Sequence, residues 1–325
     1  MLFTILGTVN RDRIVTRDGA VHESLGGVLY NALTLARCAE ARDCIRPVAR
    51  LGEADRAEAL DLLGGLRAVD PARLVFVPGR SNEATLTYTG PDTRTETLVD
   101  RVGPLSDEEV LAAGRADYLL ANLISGWDFA PAQLARAARE GGARVLLDLQ
   151  SLTLAPPGAD GLRAARAVPD WAAWCAPVEI LKGNESEVGR FLGRALARPA
   201  DFEWAAERVL AEGPRVLIVT LGVRGAYVAS SDRPRPSRGR GRVRSRGSPG
   251  RVVPAVPGVH VVDPTGCGDA FAAGFLAEHA KGGDPVRAAC AGNALAALVA
   301  ARRGLRALRD LPDPAPLAAT LLQAL

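Results

Sequence analysis

The chain has 325 residues, 48% of them hydrophobic, and a formal net charge of +3 at pH 7. That is enough for one large domain with a sizeable core, and no run of about 18 apolar residues offers a membrane span. Five scattered cysteines without CxxC spacing and three histidines without HxxxH pairing argue for free thiols in a reducing cytosol, and against zinc or histidine-based chemistry.

The opening MLFTILGTVN lacks a charged n-region and reads as a first strand over residues 3–9, not as a secretory leader. Residues 13–24 alternate weakly around Asp18-Gly19, the pattern of a hairpin. Gly26-Gly27 then opens a helix over 28–42, followed by a strand at 45–49, a helix at 56–66 and a strand at 74–77. Residues 82–100 are rich in Thr and break at Gly90-Pro91-Asp92, which predicts a second hairpin. Alternation resumes with strands at 118–121, 145–149 and 179–181 and helices at 131–141, 186–192 and 202–212. Strands at 216–220 and 226–229 come next. Val261-Val262 reads as the end of a buried strand, followed by a small-residue turn and helices at 270–280, 285–302 and 316–324.

Alternating strands and helices predict an α/β fold, a three-layer α/β/α sandwich around a mainly parallel central sheet. The two hairpins do not fit that weave and are expected to pair into a small second sheet. One domain is predicted for residues 1–325.

Charge is uneven. Residues 233–251 carry eight arginines and no acid; without them 32 basic residues face 37 acidic ones, a net of −5. The Arg, Pro, Ser and Gly composition near 231–251 cannot offset its ordering entropy, so a flexible insertion is predicted. A nucleic-acid or membrane-surface role is the competing reading, and a tolerated surface loop is favoured over it. The other basic residues are almost all arginine, with only Lys182 and Lys281 as lysines. That bias is read as the mark of a GC-rich genome.

The stretch Val261–Phe275 is the most informative. Its small-residue loop opens a helix, where free backbone N–H groups and the helix dipole attract anions. Gly266 and Gly268 leave room for a phosphate to approach the backbone. Asp269, an anion at that helix's first turn, would repel a phosphate unless it had a role there. A general base beside an anion hole formed by Gly266, Cys267 and Gly268 is the simplest chemical reading. First-turn helix stabilisation is the plain alternative.

The run Asp263 to Asp269 resembles the DTxGAGD signature of the ribokinase (PfkB-type) carbohydrate kinase family, with Cys267 where Ala is usual and Pro264 where Thr is frequent. Gly26-Gly27 with Asn31 four residues on matches that family's first signature, and Asp12 matches its sugar-binding acid; Asn10 is a further candidate of that type. Asn184 and Glu187 match its N-x-x-E motif. The resemblance implies an ATP-dependent kinase acting on a hydroxyl of a sugar or sugar-like molecule, with Asp269 as base. The paired hairpins would form a lid over the sugar, from segments near 11–25 and 82–101.

Glu187 would orient Mg2+ through water, and Asn184, Thr220 and Gly222 would meet the nucleotide phosphates, with Gly225 giving the turn room. Asn293 would approach adenine or ribose. Asp263 and Thr265 would offer oxygens to a monovalent cation such as K+, as in some members. A homodimer through the lid and a cytoplasmic location complete these expectations. A nucleoside or a sugar phosphate is the alternative acceptor, the latter served by Arg94 and Arg101. A catalytically weak sugar or nucleotide sensor is the alternative from another class.

Overall fold

A computed structural model describes residues 1–66, 68–90, 94–231, 250–282 and 284–325. In chain order the elements open with β1 (Leu2–Thr8), β2 (Asn10–Val15), β3 (Val21–Leu25), α1 (Val28–Cys38), β4 (Cys44–Gly52), α2 (Arg56–Leu63) and β5 (Leu74–Val77). The next are β6 (Asn82–Tyr88), β7 (Arg94–Val99), α3 (Asp107–Ala113), β8 (Tyr118–Asn122), α4 (Pro131–Gly141), β9 (Arg144–Asp148) and α5 (Trp171–Cys175). The last are β10 (Ile180–Asn184), α6 (Glu185–Leu192), α7 (Pro199–Glu212), β11 (Val216–Thr220), β12 (Ala226–Ser230), β13 (Arg251–Val253), α8 (Cys267–Ala280), α9 (Pro285–Ala300) and α10 (Ala315–Gln323).

Nine strands form the main sheet in the order β13-β12-β11-β10-β9-β8-β1-β4-β5. It is parallel from β11 to β5; at one edge β12 runs against the others and pairs antiparallel with both β11 and β13. The central strands are buried on both faces, and alternate residues feed two separate cores. Phe3, Ile5, Tyr118 and Leu120 pack with α1, α8 and α9, whereas Leu6, Leu119 and Ala121 pack with α3, α4 and α7. This is the predicted three-layer arrangement, with helices on both sides of a mainly parallel sheet.

The two hairpins pair as expected into a four-stranded sheet, β3-β2-β6-β7. They join by a parallel contact between β2 and β6, with Asp12 opposite Ala84. Within β2 the burial alternates, so Asn10, Asp12 and Ile14 face inward while Arg13 faces out. Arg11 turns to Asp55 and Glu58, at 2.5 and 2.7 Å, and ties the small sheet to α2.

Two expectations are corrected. Val261 and Val262 are 48% and 37% exposed and belong to no strand. The strand that follows the arginine-rich run is β13, eight residues earlier; it is short and held at the sheet edge by pairing with β12. The helix after Gly27 stops at Cys38, where Ala39 turns extended. Of the second hairpin's turn, Pro91 and Asp92 lie outside the described residues, as do residues 232–249 of the arginine-rich stretch. No described helix is long and apolar enough to cross a membrane.

Candidate active site

A cleft of about 1350 Å3 opens over the C-terminal ends of the central strands, beneath the small sheet. Open parallel sheets bind ligands at that edge, where loops diverge. Asp269 meets Asn122 at the end of β8 and Gln150 after β9, and the N-x-x-E and Thr-x-Gly turns follow β10 and β11.

Asp269 sits in the first turn of α8 and lines this cleft. Its Oδ1 accepts hydrogen bonds from Asn122 Nδ2 at 2.8 Å and Gln150 Nε2 at 2.7 Å. Burial, reinforced by the nearby Asp148 carboxylate, pushes its pKa up to about 6, against the pull of Lys182, Asn122 and Gln150. A carboxylate with that value is charged at pH 7 yet basic enough to take a proton in a transition state.

The loop ahead of it is shaped by packing. Gly266 has φ +80°, and a Cβ there would fall 2.1 Å from the Tyr30 ring. Only glycine fits that position. Cys267 departs from its expected part, because its N–H donates to the Pro264 carbonyl at 3.2 Å and closes the turn. The N–H groups of Gly266 and Gly268 have no hydrogen-bond partner among the described residues. Burial pushes the Cys267 thiol up to about 12, so it is neutral and no nucleophile.

At the small-sheet end, Asp12, Asn10 and Gly27 line the cleft. Gly26 is needed behind Asp12, since a Cβ there would lie 1.8 Å from the carboxylate. Gly27 has φ +63° and caps α1, with no space for a Cβ against the Thr8 carbonyl. Asn31 does not fill its expected sugar-binding place. It is fully buried, donates to the Asp269 carbonyl at 3.1 Å and accepts from Asn122, so it braces Asp269 from beneath. Arg101 pairs with Glu83 and does not line the cleft.

At the other end, Asn184, Glu187, Thr220 and Gly222 line the cleft. Asn184 caps α6, and a reciprocal box with Glu187 fixes both side chains. Gly225 and Asn293 lie off the cleft. Gly225 gives room to the Val253 carbonyl, 2.0 Å from where its Cβ would be. Asn293 donates to the carbonyls of Val253 and Pro254 and so anchors β13. Asp263 accepts from the Thr265 N–H, which ties these two oxygen-bearing residues into one turn. Tyr88, from β6, meets the Thr265 hydroxyl at 3.2 Å, so the small sheet touches the loop directly.

Five residues at the site go unread in the sequence: Asn122, Asp148, Gln150, Arg163 and Lys182. Gln150 holds φ +30°, the only positive φ of a residue other than glycine among those described. Lys182 Nζ bonds Asp148 at 2.6 Å, both buried, and lies 3.3 Å from where a Cβ on Gly268 would be. Burial opposes its charge, but Asp148 and Glu187 outweigh that and keep it cationic beneath the anion-attracting loop. Its rarity was the available signal, a lysine kept in a chain that otherwise uses arginine.

A family model described as pfkB family carbohydrate kinase matches residues 69–312. The chain belongs to that family. The match begins after the segment that carries Asp12, Gly26 and Gly27. This pfkB-family chain is 31% identical over 208 residues to 1-phosphofructokinase of Rhodobacter capsulatus, covering 56% of its own length and 55% of that relative. It thus spans about half the length of that protein. Its backbone matches a pyrophosphate-dependent kinase in the ribokinase family with a TM-score of 0.74 over 100% of both chains, at 18% identity. It matches Arabidopsis thaliana ribokinase complexed with ribose and ATP with a TM-score of 0.70, over 99% of this chain and 98% of that one, at 21% identity. At those identities the likeness is one of fold.

Proposed function

We propose that this chain transfers the γ-phosphoryl group of ATP to a hydroxyl of a sugar or sugar-like acceptor. The observation that carries the reading is Asp269, a buried carboxylate with its pKa raised to about 6, set in a cleft beside unpartnered loop N–H groups. Asp12 and Asn10 would hold the acceptor hydroxyls. Asp269 takes the proton of the attacking hydroxyl as its oxygen bonds to phosphorus and the bond to the leaving ADP oxygen breaks. The N–H groups of Gly266 and Gly268 and the Lys182 ammonium would stabilise the charge on the moving group. Asn184, Thr220 and Gly222 would line the donor phosphates.

Glu187 is a hard oxygen donor on the cleft wall, its carboxylate already accepting two bonds from Asn184, which suits contact through water. Magnesium held there would neutralise phosphate charge when bound. Asp263 and Thr265 remain the candidates for K+.

Pyrophosphate is a second reading of the donor. Asn293, expected near adenine, is spent on β13 carbonyls, which favours it. Assaying ATP against pyrophosphate with a panel of polyols separates the two. In either case Asp269→Asn is expected to lower kcat by about two orders of magnitude or more while donor binding persists. Near-normal turnover in that variant would remove the base from the mechanism.

A further inference from the structure

We propose that Asp55, a buried carboxylate that does not line the cleft, is a positioning residue for the acceptor: through Arg11 and Ser81 it fixes the two small-sheet strands at that end of the site. Assigning the Asp12 and Asn10 end to the acceptor rests on the kinase reading above; the clamp itself does not.

Asp55 lies between β4 and α2 and is 5% exposed. Its Oδ1 accepts from Arg11 Nη2 at 2.5 Å and Nε at 3.2 Å, and its Oδ2 accepts from the Ser81 backbone N–H at 3.1 Å. Burial opposes its charge, but the bonds from Arg11 and Ser81 outweigh that and hold the carboxyl below its ordinary value. One carboxylate thus holds a residue of β2 and the residue that leads into β6. Those strands are the parallel pair in the middle of the small sheet, with Asn10 opposite Asn82 and Arg11 opposite Glu83. Opening the clamp would leave a buried carboxylate without its cation, which is costly.

Ser81 is gripped on its other side as well. Its hydroxyl accepts from the Gly52 N–H at 2.9 Å, at the end of β4. A Cβ on Gly52 would fall 2.2 Å from the Arg80 carbonyl carbon, so the two backbones touch. The small sheet is therefore moored to the end of a main-sheet strand.

The pleat carries this mooring into the site. Successive side chains of a strand point to opposite faces, about 3.3 Å apart along it. Arg11 turns to Asp55, and its neighbours Asn10 and Asp12 line the cleft. A shift of β2 at Arg11 moves Asp12 with it, and a misplacement of about 1 Å that starts far from the chemistry can cost about 100-fold. The β7 edge is held separately by Arg163 on Glu96, and the far end of β6 by Tyr88 on Thr265. Loss of Asp55 therefore loosens β2 without releasing the whole sheet. Asn184, Thr220 and Gly222 belong to β10, β11 and the turn after it, apart from the small sheet.

The test pairs steady-state kinetics with hydrogen exchange on the full chain. ATP and pyrophosphate serve as donors against ribose, fructose, fructose 1-phosphate, myo-inositol and inosine. Asp55→Asn can still accept from Ser81 but no longer pairs with Arg11 as an ion. It is expected to raise the acceptor KM by about tenfold or more and to leave the donor KM within about twofold. Amide exchange is expected to quicken in β2 and β6 and not in α8. Arg11→Met is expected to do the same, and the double variant to fall within about twofold of the worse single one, because both break one interaction. An equal rise in both KM values, an unchanged acceptor KM, or single effects that multiply overturns the proposal. Should Asp55→Asn not fold, Arg11→Met, altering a side chain that is 26% exposed, carries the same expectations. A wild type that transfers to no acceptor sinks the kinase reading, and exchange then decides alone: unchanged protection of β2 in the variants overturns the clamp.

Discussion

Asp269 is tuned by its neighbours, and the tuning has a sign. Burial raises its pKa to about 6, so it holds a proton below that pH and is a free base above it. Turnover limited by this base is expected to rise with pH through about 6 and then level off. The hydrogen bond from Asn122 favours the charged form. Asn122→Leu removes it, so the rising limb is expected to move up by about one pH unit, since a hydrogen bond to a charged group contributes roughly 1.5–3 kcal/mol. A pH–rate profile of kcat/KM checks this. A limb that stays put, or moves down, would show that Asn122 does not act on the base. Cys267 shows how sequence and structure part at this scale. Its place in the signature reads as one more anion-binding amide, but the turn uses that N–H internally.

Elements carry the site because their ends are capped by the same residues that face the cleft. In α6 the reciprocal box of Asn184 and Glu187 both starts the helix and orients the two side chains on the cleft wall. The β12–β13 hairpin behaves differently. Val228 lies opposite Arg251, and the strands are already paired at that point. Joining Ser231 directly to Gly250 would leave a connection of ordinary hairpin length between partners that stay in register. Deleting residues 232–249 is therefore expected to leave kcat and KM within about twofold, because loop length enters stability only logarithmically. Loss of activity in that variant would give the arginine-rich stretch a part in catalysis. Salt-dependent nucleic-acid binding that disappears with it would favour the competing reading of those arginines.

For the whole molecule, local patterns were legible and long-range ones were not. Strand and helix alternation reveals the sandwich, because burial on both faces of a parallel sheet leaves continuous apolar runs. Asp269, Gly266 and Gly268 stand in one contiguous loop and can be read together. Asn122 ends β8, Gln150 follows β9 and Lys182 lies within β10, and only the strand order brings them together. The parallel contact between β2 and β6 is hidden for the same reason. Val261-Val262 misleads because β-branched residues favour strand only where a partner edge is present, and none is there.

The bracing of Asp269 by Asn31, Asn122 and Gln150 draws on α1, the end of β8 and the turn after β9. Its titration is thus a gauge of complete assembly. Followed by carbon-13 carboxyl resonance through a denaturant series, this aspartate is expected to report near 6 only while every segment is docked. A species with one segment undocked is expected to show the value of a free aspartate, close to 3.9. Retention of the raised value after one segment detaches would mean that the pocket can stand on fewer pieces than the hydrogen bonds suggest.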